Sequence, residues 1–228
     1  MPFLQLLFIR HAQSVANQTQ QMEGQADSSL SAMGQAQARQ LGSYLQSQSW
    51  NPTCIYSSPL KRAWQTAEML RSFLPAAIPL IAKTNLQECH QGIFQGLTWT
   101  EAQKQYPQLC QQLLSTLDWL PIPQAESPEQ VRQRSHVFLN HLFGQHGNGD
   151  RLWIVSHSGL LQHLIANLLG SDRSWQIAIA HTSLFEFWID CDRWDLTDQT
   201  RYNTELWQIR RFNDCSHLQA LEASPQPN

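Results

Sequence analysis

The sequence predicts an α/β fold of three layers, with helices on both faces of a mostly parallel central sheet. Three observations point to it. Residues 4–9 (LQLLFI) and 151–155 (RLWIV) are short, nearly unbroken apolar runs, as strands buried on both faces require. Between and after them lie segments with apolar positions at helical spacing and their own start signals. Each apolar run then ends abruptly in polar chemistry, Arg10-His11 after the first and Ser156-His157 after the second. In sheets of this class ligands collect beyond the carboxyl ends of the strands, so neighbouring parallel strands would bring both histidines to one rim.

The elements follow in order. Ser31 precedes a helical pattern with Ala36, Leu41, Tyr44 and Leu45 on its apolar side. Ser58-Pro59 reads as an N-cap followed by a proline where the missing N–H costs nothing, opening a helix with Leu60, Ala63, Trp64, Ala67 and Leu70 on one face. Thr98 and Glu101 have capping-box spacing before a helix that should stop near Pro107, and Ser127-Pro128 repeats the cap-plus-proline pattern. Residues 159–169 form a further helix, with Gly170 as its C′ residue. Two β-rich runs, 183–190 and 205–212, are joined by a long polar hairpin connection, and the first is an edge strand available for a homodimer. The absence of repeats and linkers argues for a single domain over 1–220 with a disordered tail over 221–228.

With 228 residues the chain can bury a full core. Only 14% of residues are charged, and Gln, which occurs 30 times, carries much of the polar surface. A net charge of −3, with no Lys/Arg run longer than two, argues against a nucleic-acid or anionic-membrane surface. Five cysteines without a CxxC pair suit a reducing compartment, and the N-terminal apolar run lacks the basic flank and cleavage site of a signal peptide. Together these features predict a cytoplasmic protein.

Of the nine histidines, His136, His141, His146, His163, His181 and His217 show no consistent ligand spacing, and no HExxH motif is present, so no metal site is expected. His90 adjoins Glu88 in a loop. His11 and His157 differ from the rest because each follows a strand among small residues, and His157 stands where a helix begins with free N–H groups. Arg62 lies near the start of a helix, where an exposed surface arginine is the ordinary expectation.

Six motifs follow one another in order: RHAQSVAN (10–17), SSPLKRAWQTA (57–67), NLQECHQGIFQGLT (85–98), AESPEQVRQR (125–134), VSHSG (155–159) and RFNDCSHL (211–218). Together they resemble the histidine phosphatase superfamily, the phosphoglycerate mutase-like family, and specifically its phosphatase branch. The resemblance implies a phosphoglycerate mutase-like fold and a metal-independent, cofactor-free phosphomonoesterase acting on a small phosphorylated metabolite. His11 would be the nucleophile that forms a phosphohistidine. Arg10 and Arg62 would clamp the phosphoryl oxygens, His157 would stabilise their charge, and Asn17 and Ser158 would complete the phosphate pocket. Glu88 would be the general acid, its pKa raised by desolvation or by the phosphate.

The chain departs from the family pattern at several positions. Ala12 and Gln13 replace the usual glycine and acidic residue, with the loop expected to survive. Gln21 stands where a basic residue is common and Glu23 where an uncharged one is, which disfavours a strongly anionic substrate on that side. His181 stands where an asparagine is common. A mutase reading competes, but Lys104 is the only basic residue in the region where true mutases of the family carry a basic cluster. A non-catalytic phospho-ligand-binding module is a further alternative, weakened by the presence of His11, His157 and Glu88. A cysteine phosphatase is excluded, since no cysteine has an arginine six residues on. Phe94, Trp99, Trp119 and Trp194 are candidates for an apolar wall against the leaving group.

Overall fold

The computed structural model describes residues 3–75, 77–116, 120–171, 173, 177–194 and 206–218. Its strands are β1 (Leu4–Arg10), β2 (Cys54–Ser57), β3 (Leu80–Ala82), β4 (Arg151–Ser156), β5 (Leu184–Ile189) and β6 (Trp207–Asp214). Its helices are α1 (Val15–Gln18), α2 (Ala32–Ser47), α3 (Lys61–Arg71), α4 (Trp99–Gln105), α5 (Pro107–Ser115), α6 (Pro128–Gln145) and α7 (Ser158–Leu168). The sheet order is β3-β2-β4-β1-β5-β6; the first four strands are parallel, β5 runs antiparallel to β1, and β6 antiparallel to β5.

The alternation of side chains along β1 sorts the core into two layers. Leu4, Leu6 and Phe8 join Leu152 and Ile154 of β4 under α6 and α7, through Phe138, Leu142, Leu161 and Leu164. Leu7 and Ile9 join Trp153 and Val155 under α2 and α3, through Leu41, Leu45, Ala63 and Leu70. β1 and β4 are buried along almost their whole length, which is why each reads as an unbroken apolar run. The sequence-based fold class is therefore the observed one.

The capping expectations hold at Ser31, Thr98 and Ser127, each of whose side chains accepts the third helical N–H, and Gly170 takes the left-handed φ of +64° expected of a C′ residue. Ser58 is a correction. The helix begins at Lys61 with Leu60 as an N-cap lacking any side-chain bond, while Ser58 is fully buried at the turn leaving β2. The expectation of an edge strand at 183–190 is also overturned, because β5 lies between β1 and β6 and the edges of the described sheet are β3 and β6. β2 and β3 have four and three residues, too short for their patterns to stand out from the loops. Most of the connection between β5 and β6, and the 221–228 tail, lie outside the described residues. No described helix is long and apolar enough to cross a membrane.

Candidate active site

The sheet register assembles the site. In the β1–β4 ladder Arg10 stands opposite Ser156, and the His11 N–H donates to the Ser156 carbonyl at 2.9 Å. Residues 146 positions apart are thereby made neighbours, with the His11 and His157 ring centroids 4.9 Å apart. β5 begins at the same rim because it is antiparallel: the Thr182 N–H donates to the Arg10 carbonyl at 3.1 Å, and the His181 ring centre lies 5.9 Å from that of His11.

The imidazole of His11 is buried, with Nδ1 2.7 Å from the Ala12 carbonyl. A carbonyl only accepts, so Nδ1 carries the proton and Nε2 of the neutral ring is left with a lone pair. Burial first, then the charges of Arg62 and Arg10, hold its pKa well below the ordinary histidine value. The ring is therefore neutral at neutral pH. Ala12 in place of glycine leaves the loop intact, and its N–H donates to Thr66 Oγ1 at 3.1 Å.

Arg62 is not a surface arginine, for its side chain is 1% exposed. Nε faces His11 Nε2 at 3.2 Å, Nη1 meets the Ala26 carbonyl at 2.8 Å and Glu23 at 2.9 Å, and Nη2 meets the Gly24 carbonyl at 2.7 Å. The Glu23 carboxylate is buried as well and accepts from the hydroxyls of Ser14 and Ser28. Arg10 donates through Nη1 to the Ile179 carbonyl, while its Nε is buried without a partner. His157 sets Nε2 2.8 Å from Ser58 Oγ, and its Nδ1 is also buried without a partner. Burial, followed by the neighbouring His11, Arg62 and Arg10, keeps the pKa of His157 well below the usual range. Arg10 lines the cavity at this rim, where a polar ligand can complete the hydrogen bonding of its Nε.

Asn17 closes a capping box with Ser14 on the short helix α1. Its Oδ1 accepts from the Ser14 N–H at 3.2 Å and from His181 Nε2 at 3.0 Å, which leaves the amide NH2 as the free donor. Burial, and to a lesser degree Arg10, push the His181 pKa down to about 3.

Glu88 comes from a loop yet is held firmly. It accepts from the N–H groups of Cys89 at 2.8 Å, Leu160 at 3.0 Å and Gly159 at 3.1 Å, the last two at the N-terminus of α7. The Ser158 hydroxyl approaches it at 3.5 Å. A Cβ on Gly159 would stand 2.6 Å from Glu88 Oε1, so only glycine lets the carboxylate come this close. Behind the loop, Arg134 forms two bonds to Glu126, at 2.8 and 3.0 Å, and holds the carbonyls of Asn85 and Gln87.

Around these groups is a cavity of about 210 Å³ lined by Arg10, His11, Asn17, Arg62, Glu88 and Ser158, with Gln21, Met22, Glu23, Gly24 and Gln91 on its outer side. Of the residues the sequence assigned to the phosphate site, Arg10, His11, Asn17, Arg62, Glu88 and Ser158 line this cavity; His157 is not among its lining residues, and its ring centre lies 4.9 Å from that of His11. The apolar wall is not there. Phe94 is buried against Trp99 and Tyr106, Trp194 packs on Phe143 and Trp207, and Trp119 lies outside the described residues. Among the described residues, no group of three or more His, Cys, Asp and Glu side chains is placed to hold a metal ion. Sequence reasoning assigned no role in the site to His181, or to Ser58, which it read as a helix cap. The signal for His181 was its place directly before a β-rich run, which an antiparallel strand carries to the rim.

A parallel-sheet rim bearing paired neutral imidazoles, two guanidinium groups and a carboxylate around a small polar cavity defines a phosphoryl-transfer enzyme of the α/β class. The model of the histidine phosphatase superfamily (branch 1) matches residues 6–201, and the chain belongs to that family. It is 28% identical over 220 residues to the metal-independent phosphoserine phosphatase of Arabidopsis thaliana, covering 95% of this chain and 84% of the relative. It is 34% identical over 173 residues to the glucosyl-3-phosphoglycerate phosphatase of Mycolicibacterium vanbaalenii, covering 72% of this chain and 74% of the relative. Among solved structures, Bacillus stearothermophilus YhfR superimposes with a TM-score of 0.78 at 23% identity, over 94% of this chain and 99% of the other, a likeness of fold.

Proposed function

We propose that this phosphatase hydrolyses small phosphomonoesters through a phosphohistidine on His11, without a metal ion. Membership of the family and the phosphatases among its relatives make it a phosphomonoester hydrolase of small metabolites. The observation that carries the mechanism is the His11 tautomer: Nδ1 is tied to the Ala12 carbonyl and Nε2 faces the Arg62 guanidinium. Nε2 donates its lone pair to phosphorus as the bond from phosphorus to the ester oxygen breaks, and Glu88 delivers a proton to the departing alkoxide. Arg10, Arg62, the Asn17 amide, the Ser158 hydroxyl and His157 hold the phosphoryl oxygens as charge develops on them. Water then attacks phosphorus, the P–N bond breaks, Glu88 takes up the water proton, and inorganic phosphate leaves.

The five free thiols support a cytoplasmic site of action. The test is phosphate release from a panel of phosphomonoesters in EDTA, with an acid-labile phosphoenzyme sought by rapid quench. Activity that survives EDTA, together with a phosphoenzyme that disappears in His11→Ala, is the expected result. Turnover that survives His11→Ala would overturn the mechanism.

A further inference from the structure

We infer that the leaving alcohol of the substrate is small, neutral and polyhydroxylated, and that esters carrying a second anionic group are selected against. The inference rests on the reading of the site as a phosphomonoesterase and adds the chemistry of its outer half.

The argument is one of charge. Among the described residues lining the cavity, the Lys and Arg side chains are Arg10 and Arg62 alone; the Glu23 carboxylate offsets one of them, and Glu88, the proton donor, adds no cation. Glu23 sits on Arg62 at 2.9 Å, and that guanidinium already serves two backbone carbonyls and His11. What positive potential remains is directed at the transferred phosphoryl group. Arg134, behind the Glu88 loop, is closed off by its paired bonds to Glu126 and by backbone carbonyls, and does not line the cavity. A carboxylate or second phosphate on the substrate would lose its hydration in a pocket whose two cations are already committed to the transferred phosphoryl group, and would find none of its own.

The outer wall instead offers neutral polar groups. Gln21 and Gln91 line it with Met22 and Gly24, and neither glutamine side chain is engaged in a hydrogen bond among the described residues. A primary amide donates and accepts, which suits hydroxyl groups. At about 210 Å³ the cavity takes a phosphoryl group and a few more heavy atoms, below the range of about 300–1,000 Å³ usual for drug-sized ligands.

Glycerol 3-phosphate and 3-phosphoglycerate give the decisive comparison, since they differ at one carbon, a hydroxymethyl in the first and a carboxylate in the second. The expected result is a kcat/KM at least about tenfold higher for glycerol 3-phosphate, the discrimination produced by one unpaired polar group. Gln21→Arg and Gln91→Arg each supply the missing cation and are expected to cut that ratio by at least threefold. A wild-type ratio of one or less overturns the inference, as does a ratio that neither variant moves. If neither ester is hydrolysed, the phosphatase mechanism is judged by the wider panel of phosphomonoesters. Calorimetric binding of the two esters to the His11→Ala protein then decides the substrate question, with tighter binding of glycerol 3-phosphate supporting the inference and equal or weaker binding overturning it.

Discussion

Nε of Arg62 lies 3.2 Å from Nε2 of His11, while Nη1 and one N–H of Nη2 of the same guanidinium serve Glu23 and the carbonyls of Gly24 and Ala26, leaving the second Nη2 N–H for a ligand. One side chain thus orients the nucleophile and anchors the 23–28 loop beneath it. Arg62→Ala leaves the Glu23 carboxylate buried without its cation, a loss of about 3–5 kcal/mol for a broken buried pair. It also removes a charge facing the phosphoryl group, lowering kcat by about 10²–10³. Urea denaturation and steady-state kinetics measure the two effects. The double variant Arg62→Met/Glu23→Gln should recover much of the stability and none of the activity; recovery of both would deny Arg62 its role in catalysis.

His11 is held neutral by burial and by two arginines. In the free enzyme its ring should therefore stay uncharged well below the ordinary histidine pKa of about 6.5. Proton NMR of the His11 ring between pH 5 and 8, assigned with the His11→Ala spectrum, should show no titration. A midpoint near 6.5 or above would mean that the arginines do not set its protonation.

Acid should unfold the protein earlier than its carboxylates alone would dictate. His11 and His157 are pushed well below their usual pKa by burial, and burial likewise brings His181 to about 3 and His217 to about 4. Since the unfolded chain binds these protons and the folded one does not, stability is unaffected above about pH 6.5. It declines as pH falls from there toward the folded pKa values, by at most about 1.4 kcal/mol per pH unit per histidine. His181→Phe keeps a ring and removes one proton-binding site, so its unfolding free energy should fall less steeply between pH 6 and 4. The same variant loses the hydrogen bond to Asn17, and kcat/KM should drop about three- to tenfold. An unchanged pH slope would show that His181 takes no part in the acid response.

Gly159→Ala tests how closely α7 must approach the carboxylate. Its Cβ would press on Glu88 Oε1 at 2.6 Å and on Cys89 Sγ at 3.0 Å. The carboxylate has to swing away from the α7 amides, and kcat for substrates with poor leaving groups should fall about tenfold or more. For p-nitrophenyl phosphate, whose leaving group needs no proton, the fall should be small. Equal losses on both substrates would place the damage elsewhere than in protonation.

The two long core strands were legible because burial on both faces leaves an uninterrupted apolar run, and their catalytic ends because Arg10-His11 and Ser156-His157 interrupt it so sharply. β2 and β3 were not legible, since strands of four and three residues carry too little pattern to separate them from loops. Ser58 was assigned to a helix cap because Ser-Pro is a common helix opening; the turn instead buries the hydroxyl beneath His157, a tertiary contact that no local rule encodes. The charge exchange at Glu23 was visible in the sequence as an added negative group. Its pairing with Arg62 depends on a loop folding back across α3, which spacing along the chain does not reveal. His181 was passed over because its strand is antiparallel, so it arrives at the rim from the start of β5 rather than from the end of a parallel strand.

The 4.9 Å between the two imidazoles follows from the register of β1 against β4, whereas the outer wall is made of loop residues around 21–24 and 91. The two halves of the pocket are therefore built by different parts of the chain. In mild denaturant the loops should open before the ladder, which holds until the whole molecule gives way. Fidelity should fail before chemistry does: a partly perturbed enzyme would go on cleaving phosphate esters while choosing among them less well. In the same way, inherited change in the loops can redirect the enzyme to a new alcohol without disturbing the machinery that breaks the bond.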